Sequence, residues 1–573
     1  FHTDQEAMFL QEVGLGYHFK ELVTEHLEFF KAKERRAKLK ELLGKGDEHE
    51  DIRSKMLAVV FKTDYVNLNT FIQAHSVAYV NGNDKFDKNL GKYNLINYYW
   101  GKIKHQFNYN NETPSIYDFL IELFTSNFIL ESDNKLQKDS RLLLLQWKDT
   151  IQFRENFGLV SEKIAIDLDI ESKLASADLE TIINDDLFRL TDYKIIHELV
   201  QLLSEENISS EKAMKFAKTR ENKFWYNEFK HFYNCIILGA EFIEKVRENA
   251  SKKYNSFNDG ILNYSDSLYE IDLLYRKFIW NYRETNQNKI LSDLEKKVQK
   301  VYSNDWLLKY NNNWQKVVDN IDSWPYKEKV SQRSFFKTHV APFCDKKQRL
   351  FVIISDALRY ECGAELNAKL QSEKRYESTI EPMVGALPSY TQLGMASLLP
   401  NNDISFKENS DSILVDGMSS MGIQGRTKIL ETNSGVRATA IKADEFMNLN
   451  SSTNGREFVK KYDLIYIYHN RIDKTGDDKT TEERVFNAVD EELNYLTDVL
   501  KKIANMNGNN MLITSDHGFL YQHNQLDESD FINSNHSGEI WKENRRFVIG
   551  KSLSADSNTK AFKGSQLGIN SEA

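Results

Sequence analysis

The chain has 573 residues, and 75 Lys and Arg against 85 Asp and Glu give it a formal charge of −10. Hydrophobic residues make up 40% and aromatic residues 12%, which excludes wholesale disorder, while the acidic balance argues against a purely electrostatic nucleic-acid binder. Three scattered cysteines exclude a disulfide scaffold and a cysteine-based zinc module. Such sparse cysteines fit a reducing compartment, and no apolar run approaches the ~20 residues of a membrane span, so we expect a cytoplasmic protein.

Glycine and tryptophan divide the chain into two parts. Ten of the 25 glycines and seven of the eight tryptophans lie before residue 346. In this first part the hydrophobic spacing predicts helices, for example over 19–43, 182–203 and 269–282. We therefore predict a mostly α-helical N-terminal region over 1–330, with room for two subdomains, and a second domain over 331–573. We expect this second domain to be truncated at its C-terminal end.

Short, nearly continuous apolar runs mark the second part and predict buried strands. Helical patterns, such as 485–504, separate several of these runs. Because strands this apolar are buried on both faces, they indicate a parallel sheet covered by helices, which is an α/β fold. The predicted strands are 350–355, 377–384, 413–415, 438–441, 464–468, 511–515 and 547–549.

Acidic and imidazole side chains follow three of these strands. Asp356 comes directly after the first, Asp473 and Asp477 come shortly after 464–468, and Asp516 and His517 follow 511–515. Taken singly, Asp356 is explained equally well as a helix N-cap, and the acids near 473 as solvated loop residues. Together, three strand ends carrying carboxylate and imidazole groups favour a site for zinc, manganese or iron.

A candidate nucleophile lies between the first two of these groups. Pro388 precedes a helical pattern and marks a helix start, which places Thr391 in the first turn. Backbone N–H groups at that position favour a phosphate, and a coordinated metal lowers the pKa of a hydroxyl enough for attack. Ser389 is the alternative nucleophile, and a purely structural hydroxyl is the simpler interpretation of either residue.

Four stretches of the second part resemble the PglZ family, a branch of the alkaline phosphatase superfamily found in BREX phage-defence systems. They are 354–361, 387–392, 468–473 and 515–519, and the resemblance covers about 331–550. The helical part is similar to the N-terminal region of the family. The resemblance implies that 331–573 is a PglZ alkaline-phosphatase-like domain, with a parallel sheet flanked by helices.

The resemblance also implies a site for two metals, with zinc expected and manganese as the alternative. Asp473 and Asp477 would hold the second metal, and an acid at 477 replaces the histidine that relatives carry there. A further, C-terminal histidine of the superfamily has no clear match in this sequence, with His536 as a weak candidate. These two departures leave the occupancy of the second metal open. The implied ligands of the first metal are Asp356, Thr391, Asp516 and His517.

The implied chemistry is phosphoryl transfer, in which Thr391 attacks phosphorus and water then hydrolyses the phosphothreonine. Arg359 would bind a non-bridging oxygen; its simpler interpretation is an ion pair with Glu361 or Glu365, and Arg426 and Arg471 are comparable candidates. We expect a metal-dependent phosphoesterase of phosphodiesterase or nuclease type.

The alternative is a catalytically weak scaffold that binds other BREX proteins. The partners implied by the resemblance are those BREX components, namely a DNA methyltransferase (PglX), the small BrxB protein and an ATPase. DNA is a further candidate partner, and no membrane partner is expected.

Overall fold

The computed structural model describes residues 4–131, 135–325, 327–477, 484–521, 523, 536–544 and 546–573, without the side chains of 152, 476 and 477. The chain forms two compact units, Phe1–Ile236 and Ile237–Ala573. The domain boundary predicted at 330/331 stays a prediction. Among the helices described, none is both long enough and apolar enough to cross a membrane.

The described part of the first unit consists of helices and connections, without a strand. Side-chain caps fix several helix starts; for example, the hydroxyl of Ser115 accepts from the Asp118 amide at 3.1 Å. The helices are α1 (Gln5–Val13), α2 (Lys20–Glu25), α3 (Leu27–Phe30), α4 (Lys33–Leu42), α5 (His49–Phe61), α6 (Leu68–Val80), α7 (Lys85–Lys92), α8 (Ile96–Phe107), α9 (Ile116–Asn127), α10 (Asp139–Asp149), α11 (Ile151–Asp167), α12 (Ile170–Ala175), α13 (Leu179–Ile182), α14 (Arg189–Ser204), α15 (Ser210–Thr219) and α16 (Tyr226–Asn249), which continues into the second unit.

The second unit is helical at first and then alternates strands with helices. Its further helices are α17 (Phe257–Asn263), α18 (Tyr269–Glu284), α19 (Ser292–Lys300), α20 (Lys309–Asp319), α21 (Ala341–Asp345), α22 (Tyr360–Gln371), α23 (Thr391–Ser397), α24 (Gly422–Asn433), α25 (Ala443–Asn448), α26 (Asn454–Lys460), α27 (Ile472–Asp477) and α28 (Val485–Asn505). Its strands are β1 (Leu350–Ser355), β2 (Ile404–Phe406), β3 (Ile413–Val415), β4 (Met418–Ser419), β5 (Ala438–Lys442), β6 (Leu464–His469), β7 (Met511–Thr514), β8 (Glu539–Glu543) and β9 (Val548–Lys551).

A four-stranded parallel sheet in the order β5-β6-β1-β7 forms the centre of the second unit. Every residue of β1 is buried, as a strand covered on both faces requires. On one face Val352 and Ile354 join a core that includes Leu393 of α23, and on the other Phe351 contacts the ring of Phe446. The predicted parallel α/β sheet flanked by helices is therefore confirmed.

Three of the predicted strands lie outside this sheet. The runs at 413–415 and 547–549 belong to small antiparallel sheets, β2-β3-β4 and β8-β9. Residues 377–384 form no strand, and among them only Val384 pairs, with Ser331. Ile413 and Val415 share the buried core of the central sheet, so hydrophobicity alone did not distinguish their strand from the strands of that sheet.

Candidate metal centre

The carboxyl edge of the sheet brings the predicted ligands together. β1 and β6 run in register, with Ser355 opposite His469, so the loops that follow them begin at the same level. The nitrogen Nε2 of His517 lies 3.4 Å from Asp356 Oδ1, 3.7 Å from Asp473 Oδ1 and 3.5 Å from Asp516 Oδ2. We call Asp356, Asp473, Asp516 and His517 the Asp–His cluster.

Two oxygen atoms of the cluster are buried without a donor. Asp356 Oδ1 and Asp516 Oδ2 accept no hydrogen bond from any residue that the structure describes. Burial, together with the nearby charges of Asp516 and Asp473, raises the pKa of Asp356 to about 10. Buried carboxylates are normally paired or bound to a metal, so this arrangement fits a divalent cation. One ligand atom each from Asp356, Asp473 and His517 lies within 4.8 Å of the others, which is close enough for the three residues to contribute to one metal centre.

The hydrogen bond of the other ring nitrogen fixes the tautomer of His517. Its Nδ1 lies 3.0 Å from the carbonyl oxygen of Gly518, and a carbonyl can only accept, so Nδ1 carries the proton. In the neutral ring, Nε2 therefore presents its lone pair to the carboxylates and, at 3.1 Å, to the Thr391 hydroxyl. This is the orientation that a metal-ligating imidazole adopts.

Close packing between helix α23 and the Asp516 loop fixes the position of Thr391. Thr391 is the first residue of α23, and Tyr390 occupies the cap position, so neither Thr391 nor Ser389 is the cap. One turn later, a Cβ on Gly394 would lie 2.8 Å from the carbonyl carbon of Asp516. Only glycine permits this approach, which holds the hydroxyl beside the cluster.

Gln332, which the sequence did not single out, links the loops of the centre. Its buried side-chain amide donates to the carbonyl oxygens of Ser515 at 3.0 Å and Asp516 at 2.6 Å. Its side-chain oxygen accepts from the amide of Ala386 at 3.0 Å, in the loop before Thr391. Gln332 and Asp516 are 184 residues apart in the chain, so no local sequence pattern could have predicted this contact.

The backbone after Asp356 turns through a left-handed residue. Ala357 has a φ of 62°, and its amide donates to Asp516 Oδ1 at 3.1 Å. A non-glycine residue with this φ is strained and persists where the surrounding contacts determine it. The helix predicted from 357 consequently begins at Tyr360, and Asp356 is a loop residue rather than an N-cap.

Comparison with known proteins agrees with this geometry. Residues 335–573 match the family model of the BREX system PglZ alkaline phosphatase-like domain. Residues 335–573 are thus similar to a PglZ domain. The chain is 29% identical over 600 residues to the alkaline phosphatase-like protein BrxZ of Escherichia coli O9:H4 (strain HS), covering 97% of this chain and 68% of that protein. It is 27% identical over 585 residues to the alkaline phosphatase-like protein PglZ of Bacillus cereus (strain H3081.97), covering 98% and 67%. The resemblance seen in the sequence is confirmed.

Arg359 of the PglZ domain is directed toward the helices that precede the domain. Its guanidinium donates to Asp272 at 2.6 Å, to the Phe519 carbonyl at 2.9 Å and to the Tyr264 hydroxyl at 3.0 Å. The expected ion pair with Glu361 is not formed by Arg359 but by Arg276, at 3.0 Å. The described contacts of Arg359 are therefore those of a buried structural ion pair.

Three further residues predicted from the sequence, Arg426, Arg471 and Asp477, occupy different surroundings. The guanidinium of the half-buried Arg426 lies 4.6 Å from the ring of Tyr468 in β6 and donates to the Ser420 carbonyl at 3.3 Å, whereas Arg471 pairs with Glu491 at 2.9 Å. Asp477 ends α27, and its side chain lies outside the part of the chain that the structure describes. The roles assigned to these residues from the sequence stay predictions.

Proposed function

We propose that this chain is a metal-dependent phosphoesterase that acts, in the cytoplasm, as a component of a BREX anti-phage defence system. One observation carries the proposal: a threonine hydroxyl lies 3.1 Å from the same imidazole nitrogen that faces three carboxylates. A nucleophile and a cation site are thus adjacent. The mixed oxygen and nitrogen donors suit zinc, with manganese as the alternative.

The proposal assigns the first metal to Asp356, Asp516 and His517 with Thr391, and a second metal to Asp473 and Asp477. A bound divalent cation would supply Lewis-acid chemistry, lowering the pKa of the hydroxyl and neutralising charge on the phosphoryl group. The two buried carboxylate oxygens without a donor, on Asp356 and Asp516, support the first assignment.

The reactive atom supplied by the chain is Thr391 Oγ1. The bond from Oγ1 to phosphorus forms as the bond from phosphorus to the leaving oxygen breaks; the hydroxyl proton passes to solvent, and the leaving oxygen takes a proton from water. Water then cleaves the phosphothreonine and restores the hydroxyl. We assign binding of a non-bridging oxygen to Arg426, because its guanidinium lies over the ring of Tyr468, next to the last residue of β6.

A diester such as DNA suits a defence role better than a small monoester. The description of the family model places its domain in the BREX system, which supports a defence assembly for this chain. Within the proposal, its partners are a DNA methyltransferase (PglX), the small BrxB protein and an ATPase.

The test is hydrolysis of a chromogenic phosphodiester, bis-p-nitrophenyl phosphate, with added zinc or manganese. We expect Thr391→Ala to lower the rate by at least about 100-fold while zinc binding, measured by calorimetry, persists. Ser389→Ala is the matched control, since it removes a hydroxyl two residues away, and should leave the rate unchanged. Full activity in Thr391→Ala, or none in the wild type with either metal, would defeat the mechanism.

One observation favours the alternative of a scaffold with vestigial catalysis. The guanidinium of Arg359, the first candidate to bind phosphate, is held by Asp272 instead. A scaffold predicts that Asp516→Ala leaves phage defence intact in cells, whereas an enzyme predicts that the same substitution abolishes it. Equal amounts of soluble protein in the two strains are the required control.

A further inference from the structure

A cavity of about 320 Å³ lies within the second unit, on the helical side of the Asp356 loop. Its walls come from the helical segment 261–314, from Arg359 and Tyr360, and from Leu520, four residues after Asp516. Its volume falls in the range of about 300–1,000 Å³ that is typical of small-molecule sites. We call it the aromatic cavity.

Aromatic side chains make up five of its fourteen described lining residues. Trp306, Tyr310, Trp314, Tyr264 and Tyr360 all contribute, and the rings of Trp306 and Tyr310 lie 4.6 Å apart. The close approach of Trp314 to helix α17 requires Gly260, because a Cβ there would overlap with the indole ring. Aromatic ring faces bind planar π systems by stacking.

The charges that line the cavity cancel. Of its described lining residues only Asp272 and Arg359 are charged, and they pair with each other at 2.6 Å. Asp272 also accepts from the hydroxyls of Tyr264 and Tyr302, so no charge is left for a ligand. A phosphate group, which needs a counter-charge, is therefore disfavoured within the cavity. An uncharged planar base needs only the rings, as does a quaternary ammonium ion, so a cation is the competing ligand.

Two π-helical segments, Tyr264–Leu268 and Val301–Leu308, supply part of these walls. Segments of this kind are rare and occur frequently at functional sites. At the rim, the exposed Asn311 offers an amide that can donate to and accept from the edge of a base. Leu520, 66% exposed, lies at the same opening.

We propose that the aromatic cavity binds a nucleobase, stacked against Trp306, Tyr310 and Trp314 and hydrogen-bonded at its edge by Asn311. The base belongs either to a free nucleoside or nucleotide or to an unstacked residue of a single strand. The proposal does not depend on phosphodiester hydrolysis, because the cavity and the Asp–His cluster use different residues.

The test is titration of the full chain with adenosine, followed by tryptophan fluorescence and by calorimetry. We expect saturable one-to-one binding, weakened about tenfold or more by Trp314→Ala and less by Trp314→Phe, which keeps a ring. Asn311→Ala, at an exposed position, should leave the urea denaturation midpoint unchanged and weaken binding several-fold. Trp541→Phe, which removes an indole outside the cavity, should change nothing.

Competition distinguishes the sources of the base. Displacement of adenosine by a dA oligonucleotide, lost in Trp314→Ala, assigns the site to a strand; displacement by adenosine monophosphate alone assigns it to a free nucleotide. No saturable binding of adenosine or of the oligonucleotide, or affinities that neither Trp314→Ala nor Asn311→Ala changes, would overturn the proposal. Tighter binding of tetramethylammonium than of adenosine would do the same, because it would identify a cation cage.

Discussion

Replacing Asp356 by asparagine is expected to stabilise the metal-free protein while it removes metal binding. Asp356 is buried beside Asp516 and Asp473, and its Oδ1 accepts no hydrogen bond from the described residues. Without a cation, this position holds either an unpaired charge or a carboxyl that must keep its proton. Asparagine has nearly the same shape and carries no charge.

The pKa of Asp356 gives the size of the effect. At about pH 8 the folded protein keeps this carboxyl protonated, since its pKa is about 10, whereas in the unfolded chain it ionises near 3.8. Holding the proton over about four pH units costs up to about 6 kcal/mol. Water that enters the centre offsets part of this cost, so we expect Asp356→Asn to raise the free energy of unfolding by about 1–4 kcal/mol.

Urea denaturation of the chelator-treated protein measures this difference. Asp473→Asn is the matched control: it removes the same charge from the same cluster at a half-buried position, and we expect it to gain less than about 1 kcal/mol. Added zinc should reverse the order, because binding stabilises the wild type and not the Asp356 variant. If Asp356→Asn lowers the unfolding free energy of the metal-free protein, the carboxylates do not repel one another and the reasoning is wrong.

Three further substitutions or conditions test the centre and its support. Gly394→Ala should lower the free energy of unfolding by about 1–3 kcal/mol and remove most of the activity, because the added Cβ overlaps with the Asp516 backbone. Gly385→Ala, which has open space around it, is the control and should change neither the urea denaturation curve nor the turnover rate. Arg276→Met leaves the buried carboxylate of Glu361 without its arginine partner and should lower the free energy of unfolding, measured in urea, by about 3–5 kcal/mol. The double variant with Glu361→Gln should recover part of this loss. The pKa of Asp356 is raised in the folded, metal-free protein, so the folded state keeps a proton that the unfolded chain releases. The stability of the metal-free protein is therefore highest below the unfolded pKa of this carboxyl and falls as pH rises toward about 10. The gain in melting temperature on adding zinc should therefore grow from about pH 6 to about pH 8, and a gain that shrinks would contradict this sign.

The sequence predicted the sheet well where burial alone determines structure. The run 350–355 forms β1 over the same residues, because an apolar segment of that length bounded by polar residues has few other ways to be buried. Since parallel strands end at one edge, the acids after β1, β6 and β7 were expected to meet, and the structure brings Asp356, Asp473 and Asp516 together. The strand order β5-β6-β1-β7 was not predictable, because each strand is compatible with either neighbour.

The parts that the sequence did not reveal depend on distant contacts. Arg359 was expected to bind a non-bridging phosphoryl oxygen, but the chain turns through the left-handed Ala357 and the guanidinium donates to Asp272, 87 residues earlier. The side-chain amide of Gln332 likewise donates to the carbonyl oxygen of Asp516, 184 residues away. Neither partner leaves a periodic or local signal in the sequence.

The helices before residue 335 are part of the physical support of the PglZ domain's centre. Helix α18 supplies Asp272 to Arg359 and Arg276 to Glu361, at the start of the helix that follows Asp356. Arg359 in turn donates to Phe519, just beyond His517, so both ligand loops are tied to one helix. A ligand in the aromatic cavity contacts Arg359 and Leu520 and therefore touches this same support. Linkage then requires that any change such a ligand makes in metal affinity equals the change that the metal makes in the affinity of the ligand.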